Sequence, residues 1–327
     1  MKITEKISQT RGNRDLSVLN LISIDDLSDA DLNLIFNLTA QFLKSPAEKL
    51  DLLHGKTIIG AFLENSTRTR ASFELAGKKL GADTVFISAS GSSVAKGESL
   101  LDTLQTLDAM RADAIILRTQ FSFAPSQFAN SVRAPMISAG DGCREHPSQA
   151  LLDAFVLREN FGENLAGKEI LIVGDLRHSR VFGSLVRLLP RLKMKIRICA
   201  PETLLPPAAE KLPVEIFTDL KTAARGADVI YNIRVQSERG ASGFVSTLKD
   251  YSTFFGIKKE TLDSTDRETI LLDAGPVIRD IGVSHDLMTD PRSKILRQVE
   301  TGVALRKSLL YLTVNRFDGK VKDFARG

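Results

Sequence analysis

Residues 57–87 read TIIGAFLENSTRTRASFELAGKKLGADTVFI. A short apolar run, Thr57 to Phe62, passes through a cluster of small polar and basic residues into a stretch with helical spacing of apolar positions from about Thr67 to Leu80. A second apolar run, Thr84 to Ile87, follows. Strand, turn, helix and strand in that order are the βα units of a parallel sheet.

The alternation continues outward along nearly the whole chain. Ala114 to Leu117 reads as a further strand and Leu100 to Met110 as a helix; the second half offers strands at Glu169 to Val173, Lys195 to Cys199, Val229 to Ile233 and Ile270 to Leu272. No tandem repeat or low-complexity segment interrupts them. With 327 residues, 43% hydrophobic content and 22 glycines, the chain exceeds the usual size of one core. The expected fold is α/β with two domains, each a parallel sheet flanked by helices, joined by interdomain helices. One joining helix opens at Pro147, where proline is favoured, and presents Ala150, Leu151, Ala154, Phe155 and Leu157 as an apolar face. Ser293 to Tyr311 reads as one or two helices returning to the first domain. The expected domains are therefore residues 1–146, completed by about 293–327, and residues 147–292.

Composition excludes several classes. No apolar run reaches the length of a membrane span, and MKITEKISQT lacks the apolar region and cleavage site of a secretory signal, so a cytoplasmic protein without a membrane partner is expected. A net charge of +4 from 44 basic and 40 acidic residues, without a basic block, does not suit neutralising a nucleic-acid backbone. The absence of tryptophan and a count of three tyrosines leave few platforms for stacking bases. Cys143 and Cys199 are too few for a zinc site and read as reduced, structural thiols.

Ligands of open α/β sheets bind outside the carboxyl ends of the strands, which is where STRTR (66–70) falls. The free N–H groups and positive dipole of a first helical turn form an anion site there. Ser66, Thr67 and Thr69 add hydroxyls, and Arg68 adds a planar fork suited to phosphate. The bland alternative is an N-cap at Ser66 followed by solvated arginines; clustering at one joint favours the anion. No GxxxxGK[ST] is present and no GxGxxG follows a strand, so a small phosphorylated ligand is favoured over a nucleotide.

Three further stretches share this placement. AGDGCREHPSQALLDAF (139–155) puts His146 at a helix start, where the dipole disfavours imidazolium and suits a neutral donor that polarises a carbonyl; alone, such a histidine would more often be a cap or surface group. IVGDLRHSRVFGSL (172–185) brings Arg177 and Arg180 to the ligand side, and VIYNIRVQSER (229–239) puts Arg234 at a strand end. Guanidinium groups at two strand ends suit a dicarboxylate.

These segments, with GSSVAKGESLLDTLQTL, carry a resemblance to the aspartate/ornithine carbamoyltransferase family, and RVQSER points to its aspartate branch. A His-Cys-Leu-Pro segment of the ornithine branch is absent. The resemblance runs in order from residue 62 to 239 and more weakly beyond. It implies transfer of the carbamoyl group of carbamoyl phosphate to L-aspartate in pyrimidine synthesis, by a homotrimer with shared sites and with no metal or cofactor. By resemblance, Ser66, Thr67, Arg68 and Thr69 cradle the phosphate; Arg118, Thr69 and His146 polarise the carbamoyl oxygen; Gln149 holds the carbamoyl nitrogen. Ser92 and Lys96 match residues that reach a neighbouring subunit's site. Arg180, Arg234 and Gln236 match groups binding the aspartate carboxylates, and Pro276 matches a backbone contact near the transferred group. The glycine-bearing segment 237–246 would move as the site closes. A regulatory chain or a dihydroorotase is a further partner that the resemblance allows.

Three departures stand out. Thr119-Gln120 follows Arg118 where the family often has His-Pro; Asp273-Ala274 replaces a common His-Pro and puts an acid near an anion site unless Arg279 or another cation offsets it; and residues 91–98 hold one lysine where some members have two. They leave open a catalytically weak scaffold for a pathway partner, or a carbamoyltransferase for another amino acid.

Overall fold

The structure is a computed structural model that describes residues 15–88, 97–236, 244 and 247–324, with side chains to residue 318. The chain divides into two compact units, residues 1–151 with 300–327, and residues 152–299.

The sheet of the first unit contains β1 (Thr57–Phe62), β2 (Asp83–Ser88), β3 (Ala114–Thr119) and β4 (Met136–Asp141), all parallel, in the order β2-β1-β3-β4. β3 and β4 are buried along their length, as strands covered on both faces must be, whereas edge strand β2 is only half-buried. Ile59, Ala61, Leu104, Ile115, Leu117 and Met136 form a core cluster on one face. Each large apolar side chain buried there contributes roughly 1.5–3 kcal/mol. The helix Thr67–Lys79 connects β1 to β2 as expected, and Leu100–Ala109 precedes β3.

The second unit contains β5 (Glu169–Gly174), β6 (Lys195–Cys199), β7 (Val214–Phe217), β8 (Val229–Ile233) and β9 (Ile270–Asp273), parallel throughout, in the order β7-β6-β5-β8-β9. Leu171, Val173, Cys199, Ile230 and Leu271 pack with Ile257, Leu262 and Val283 on one face of it. At the end of β5, Gly174 has φ +128°, and a Cβ there would lie 1.7 Å from Ile233 O. Only glycine lets the two central strands end so close together.

The division into units falls within the helix Pro147–Phe161 and again within the final helix, Ile295–Phe324. The final segment is one helix, and it continues past Tyr311 to Phe324. From Glu300 onward it belongs to the first unit, where the buried hydroxyls of Ser308 and Thr39 meet at 3.1 Å. β4, β7 and the helix Asp29–Leu43 are elements that the sequence reading did not separate. Cys199 is buried, and burial pushes its thiol up to about 12, but Cys143 is exposed and so does not fit the structural role expected of both. No described helix is long and apolar enough to cross a membrane.

Candidate active site

In each sheet the strand order reverses at one place, between β1 and β3 in the first unit and between β5 and β8 in the second. Chains leaving two neighbouring strands in opposite directions open a crevice at such a point, and ligands bind there. STRTR follows β1, and Arg118 lies near the end of β3. In the second unit, the turn leading to Arg180 follows β5, and Arg234 to Gln236 follow β8.

The helix that opens at Thr67 differs at its start from three other helices of the chain. Ser28, Ser99 and Thr247 each accept a bond from the backbone N–H three residues on, and their helices carry an aspartate in the first turn. Ser66 is extended at φ −159° but makes no such side-chain bond, and no acid follows in its first turn. The partly positive end of this helix therefore lacks both usual compensations, as an anion-binding turn requires. Thr67 and Arg68 are exposed there, whereas Thr69 is buried.

Two more groups converge on the same turn. Parallel pairing sets Arg118 beside Phe62, and Leu63 N donates to Arg118 O at 2.8 Å. The buried guanidinium donates from Nη2 to Glu64 Oε1 at 3.3 Å and from Nη1 to Ala139 O at 3.4 Å. His146, also buried, places Nε2 3.4 Å from Thr69 Oγ1. Gln149 is buried on the first turn of the Pro147 helix, and its N–H donates to His146 O at 2.9 Å. Ahead of the histidine, Glu145 is fully buried and accepts from Ser23 Oγ at 2.5 Å and Ile24 N at 3.0 Å, which fixes the backbone entering His146. Asp141 accepts from Phe123 N at 2.8 Å and Glu145 N at 3.1 Å; burial raises its carboxyl above the ordinary range. The departure at Thr119 is accommodated locally: its hydroxyl accepts from Phe121 N and its carbonyl from Gly142 N.

In the second unit the organising group is one that the sequence reading passed over. Asp175, fully buried after Gly174, accepts from His178 N at 3.2 Å, His178 Nδ1 at 2.8 Å and Gln236 N at 3.0 Å. One carboxylate thus ties the turn before Arg180 to the strand end carrying Arg234 and Gln236. An acid directly after the strand glycine in IVGD was the available signal. Ser179 caps the next helix through Phe182 N, and Arg180 opens it, 3% exposed. Gln236 is buried and Arg234 half-buried, with Nη1 donating to Val235 O at 3.3 Å. Arg177 lies 4.8 Å above the Phe244 ring.

Pro276 follows Gly275 through a cis peptide bond just beyond β9. The acid at Asp273 accepts from Asn232 Nδ2 at 2.6 Å and from the backbone N–H of Gly275. Arg279, one cation considered as able to offset it, meets His285 Nδ1 at 3.2 Å. Ser92, Lys96 and all of 237–246 except Phe244 lie outside the described residues. Among the described residues, no group of three or more His, Cys, Asp or Glu is placed to hold a metal.

Residues 19–159 match the family described as aspartate/ornithine carbamoyltransferase, carbamoyl-P binding domain, and residues 166–313 match its Asp/Orn binding domain. The aspartate carbamoyltransferase catalytic subunit of Lawsonia intracellularis is 44% identical over 296 residues, 90% of this chain and 94% of that one. That of Cytophaga hutchinsonii is 42% identical over 300 residues, 91% and 97% of the two chains. Among solved structures, Trypanosoma cruzi aspartate transcarbamoylase in complex with carbamoyl phosphate and aspartate superposes with a TM-score of 0.81 at 28% identity, covering 89% of this chain and 95% of that one. Ornithine carbamoyltransferase from Thermus thermophilus gives 0.79 at 26% identity, covering 91% and 99%.

Proposed function

We infer the reaction from one premise: the chain belongs to the aspartate/ornithine carbamoyltransferase family. The protein transfers the carbamoyl group of carbamoyl phosphate to the amino group of L-aspartate, giving N-carbamoyl-L-aspartate and phosphate, as its relatives' names and the complex with both substrates support. Similar TM-scores against aspartate and ornithine enzymes leave the acceptor to side chains, not to the fold. The buried Arg180 with Arg234 and Gln236 suits an acceptor with two carboxylates and disfavours the cationic side chain of ornithine.

The observation that carries the site assignment is the Thr67 helix start, without side-chain cap or first-turn acid, beside Arg118 and the Thr69–His146 contact. Ser66, Thr67, Arg68 and Thr69 hold the phosphate. Arg118, Thr69 and His146 donate to the carbamoyl oxygen, which gains negative charge as the amine attacks. Gln149 orients the carbamoyl nitrogen, and the backbone at Pro276 contacts the group as it passes to the aspartate amine. The attacking amine must be deprotonated, and the departing phosphate accepts the proton it releases. Catalysis is then placement and charge stabilisation: preorganised donors at an oxyanion contribute about 10²–10³ in turnover each.

Ser92 and Lys96 complete a neighbouring copy's site in a cytoplasmic homotrimer. The test is phosphate release from carbamoyl phosphate, corrected for spontaneous decomposition, with L-aspartate, L-ornithine or no acceptor. Release dependent on aspartate is expected; equal release with ornithine, or none with either, refutes the assignment.

A further inference from the structure

The family match leaves Asp273 and Asn232 without a role. They pair across β8 and β9, where Asn232 lies opposite Asp273 in the parallel register. Asn232 is fully buried and Asp273 is 4% exposed. Asn232 Nδ2 donates to Asp273 Oδ2 at 2.6 Å, and Gly275 N donates to Oδ1, so one carboxylate links a strand to the turn that carries Pro276. The link is anchored from behind. Asp273 N donates to Gln298 Oε1 at 3.0 Å, Gln298 Nε2 to Asp153 Oδ1 at 2.7 Å, and Tyr231 OH to Asp153 Oδ2 at 2.8 Å. Gly282 presses on the amide: a Cβ there would come within 2.8 Å of Asn232 Nδ2. The same strand ends at Ile233, and Arg234 and Gln236 lie two and four residues beyond Asn232.

We propose that Asn232 and Asp273 are a positioning pair that holds the Gly275–Pro276 turn in register with the Arg234–Gln236 strand end and thereby sets affinity for the amino-acid acceptor. The inference rests on the assignment of Arg234 and Gln236 to aspartate. A carboxylate that accepts from an amide and a backbone N–H acts as a fixed hydrogen-bond acceptor, and an asparagine of the same shape offers the same two contacts. That distinguishes the pair from an acid that repels an anionic substrate.

The experiment measures KM for aspartate and for carbamoyl phosphate in the parent, Asp273→Ala, Asp273→Asn and Asn232→Ala. Removing both buried bonds in Asp273→Ala should raise KM for aspartate about tenfold or more, and Asn232→Ala should raise it by a smaller factor. KM for carbamoyl phosphate should stay near the parental value in both. Asp273→Asn should remain close to the parent for both substrates, because its Oδ1 still accepts from Gly275 N and a flipped Asn232 amide accepts from its Nδ2. Three results would overturn the proposal: a parental KM for aspartate in Asp273→Ala, damage in Asp273→Asn equal to that in Asp273→Ala, or a lowered KM for aspartate in both. If Asp273→Ala does not fold, a parental KM for aspartate in Asn232→Ala overturns it equally. A parent that releases no aspartate-dependent phosphate refutes the reaction itself, whereas an active parent with a flat series refutes only the pair.

Discussion

Replacing Lys307 by methionine should stabilise the protein near neutral pH, by an amount that vanishes as the pH rises. Lys307 is 1% exposed on the final helix, with Nζ 3.4 Å from Pro46 O and 5.5 Å from the centroid of Phe42. Lys79 donates to the same carbonyl at 2.6 Å. Burial first, and the neighbouring Lys79 charge second, push the Lys307 amine down to about 8, with Glu48 opposing. The folded pKa thus lies below the unfolded one. Below about pH 8 both states are protonated and the folded state carries the whole cost of the buried charge. Between about pH 8 and 10.5 the folded state sheds its proton first, so this group's contribution to stability rises with pH; above that range both states are neutral. A difference of about 2.5 pH units corresponds to on the order of 3 kcal/mol. Lys307→Met keeps an unbranched apolar stem and loses one long hydrogen bond worth about 1 kcal/mol, leaving a gain on the order of 2 kcal/mol at pH 7. Parallel urea titrations of parent and variant at one protein concentration, from pH 6.5 to 10, read the difference directly. A difference that is flat or grows with pH, or a variant less stable at pH 7, would refute this account of the buried amine.

Other substitutions test the site and the frame that holds it. Arg68→Ala should lower turnover by about 10²–10³ while the urea midpoint stays near the parental value, because Arg68 is exposed and its proposed contact is to the departing phosphate. Arg234→Lys should raise KM for aspartate by about tenfold or more with little change for carbamoyl phosphate, since an ammonium cannot reproduce a planar two-point contact to a carboxylate. Gly174→Ala should be the most damaging to the second unit: the φ of +128° and the 1.7 Å approach to Ile233 O force β5 away from β8, and loss of soluble protein or a sharply lowered urea midpoint is the expected readout. Mixing inactive Arg68→Ala and Lys96→Ala chains through denaturation and renaturation should restore some activity, because a mixed oligomer can assemble one site with both residues intact; no recovery would refute the shared site.

Much of this arrangement was legible because it follows from period and position. β1 and β8 are largely apolar runs and β6 alternates basic and apolar residues, and the expected limits coincide with the observed Thr57–Phe62, Lys195–Cys199 and Val229–Ile233. β4 was not legible: in MISAGD, the Gly140-Asp141 end reads as a turn, and only its place beside β3, where every residue of the strand is buried, makes it a strand. The final helix runs past Tyr311 although its sequence turns polar, since propensity alone does not mark where a long helix stops. At the site, Arg68, Arg180 and His146 were visible because they stand where a loop or strand passes into a helix, and Arg234 because it ends an apolar strand, whereas Arg118 was carried by the family resemblance alone. Asp175 was not, because a lone acid after a strand has no periodicity, and its use is defined only by the backbone N–H groups that folding brings to it.

That last case points to a physical rule for the whole molecule. An anion-binding protein must keep its own carboxylates from competing for its donors, yet acids lie close to both switch points. Glu145, Asp175 and Asp273 are each buried, and each accepts from backbone N–H groups of its own unit: Ile24 for Glu145, His178 and Gln236 for Asp175, Gly275 for Asp273. A carboxylate bound in this way is stabilised by fixed dipoles, and Glu145 has in addition the Arg144 guanidinium 3.4 Å away. These three acids hold the loops in shape, whereas Glu64 accepts from the Arg118 guanidinium itself. This division of labour accounts for an acid at position 273 beside a site for anionic ligands, and it makes Gly275 N, more than Arg279, the group on which that substitution depends.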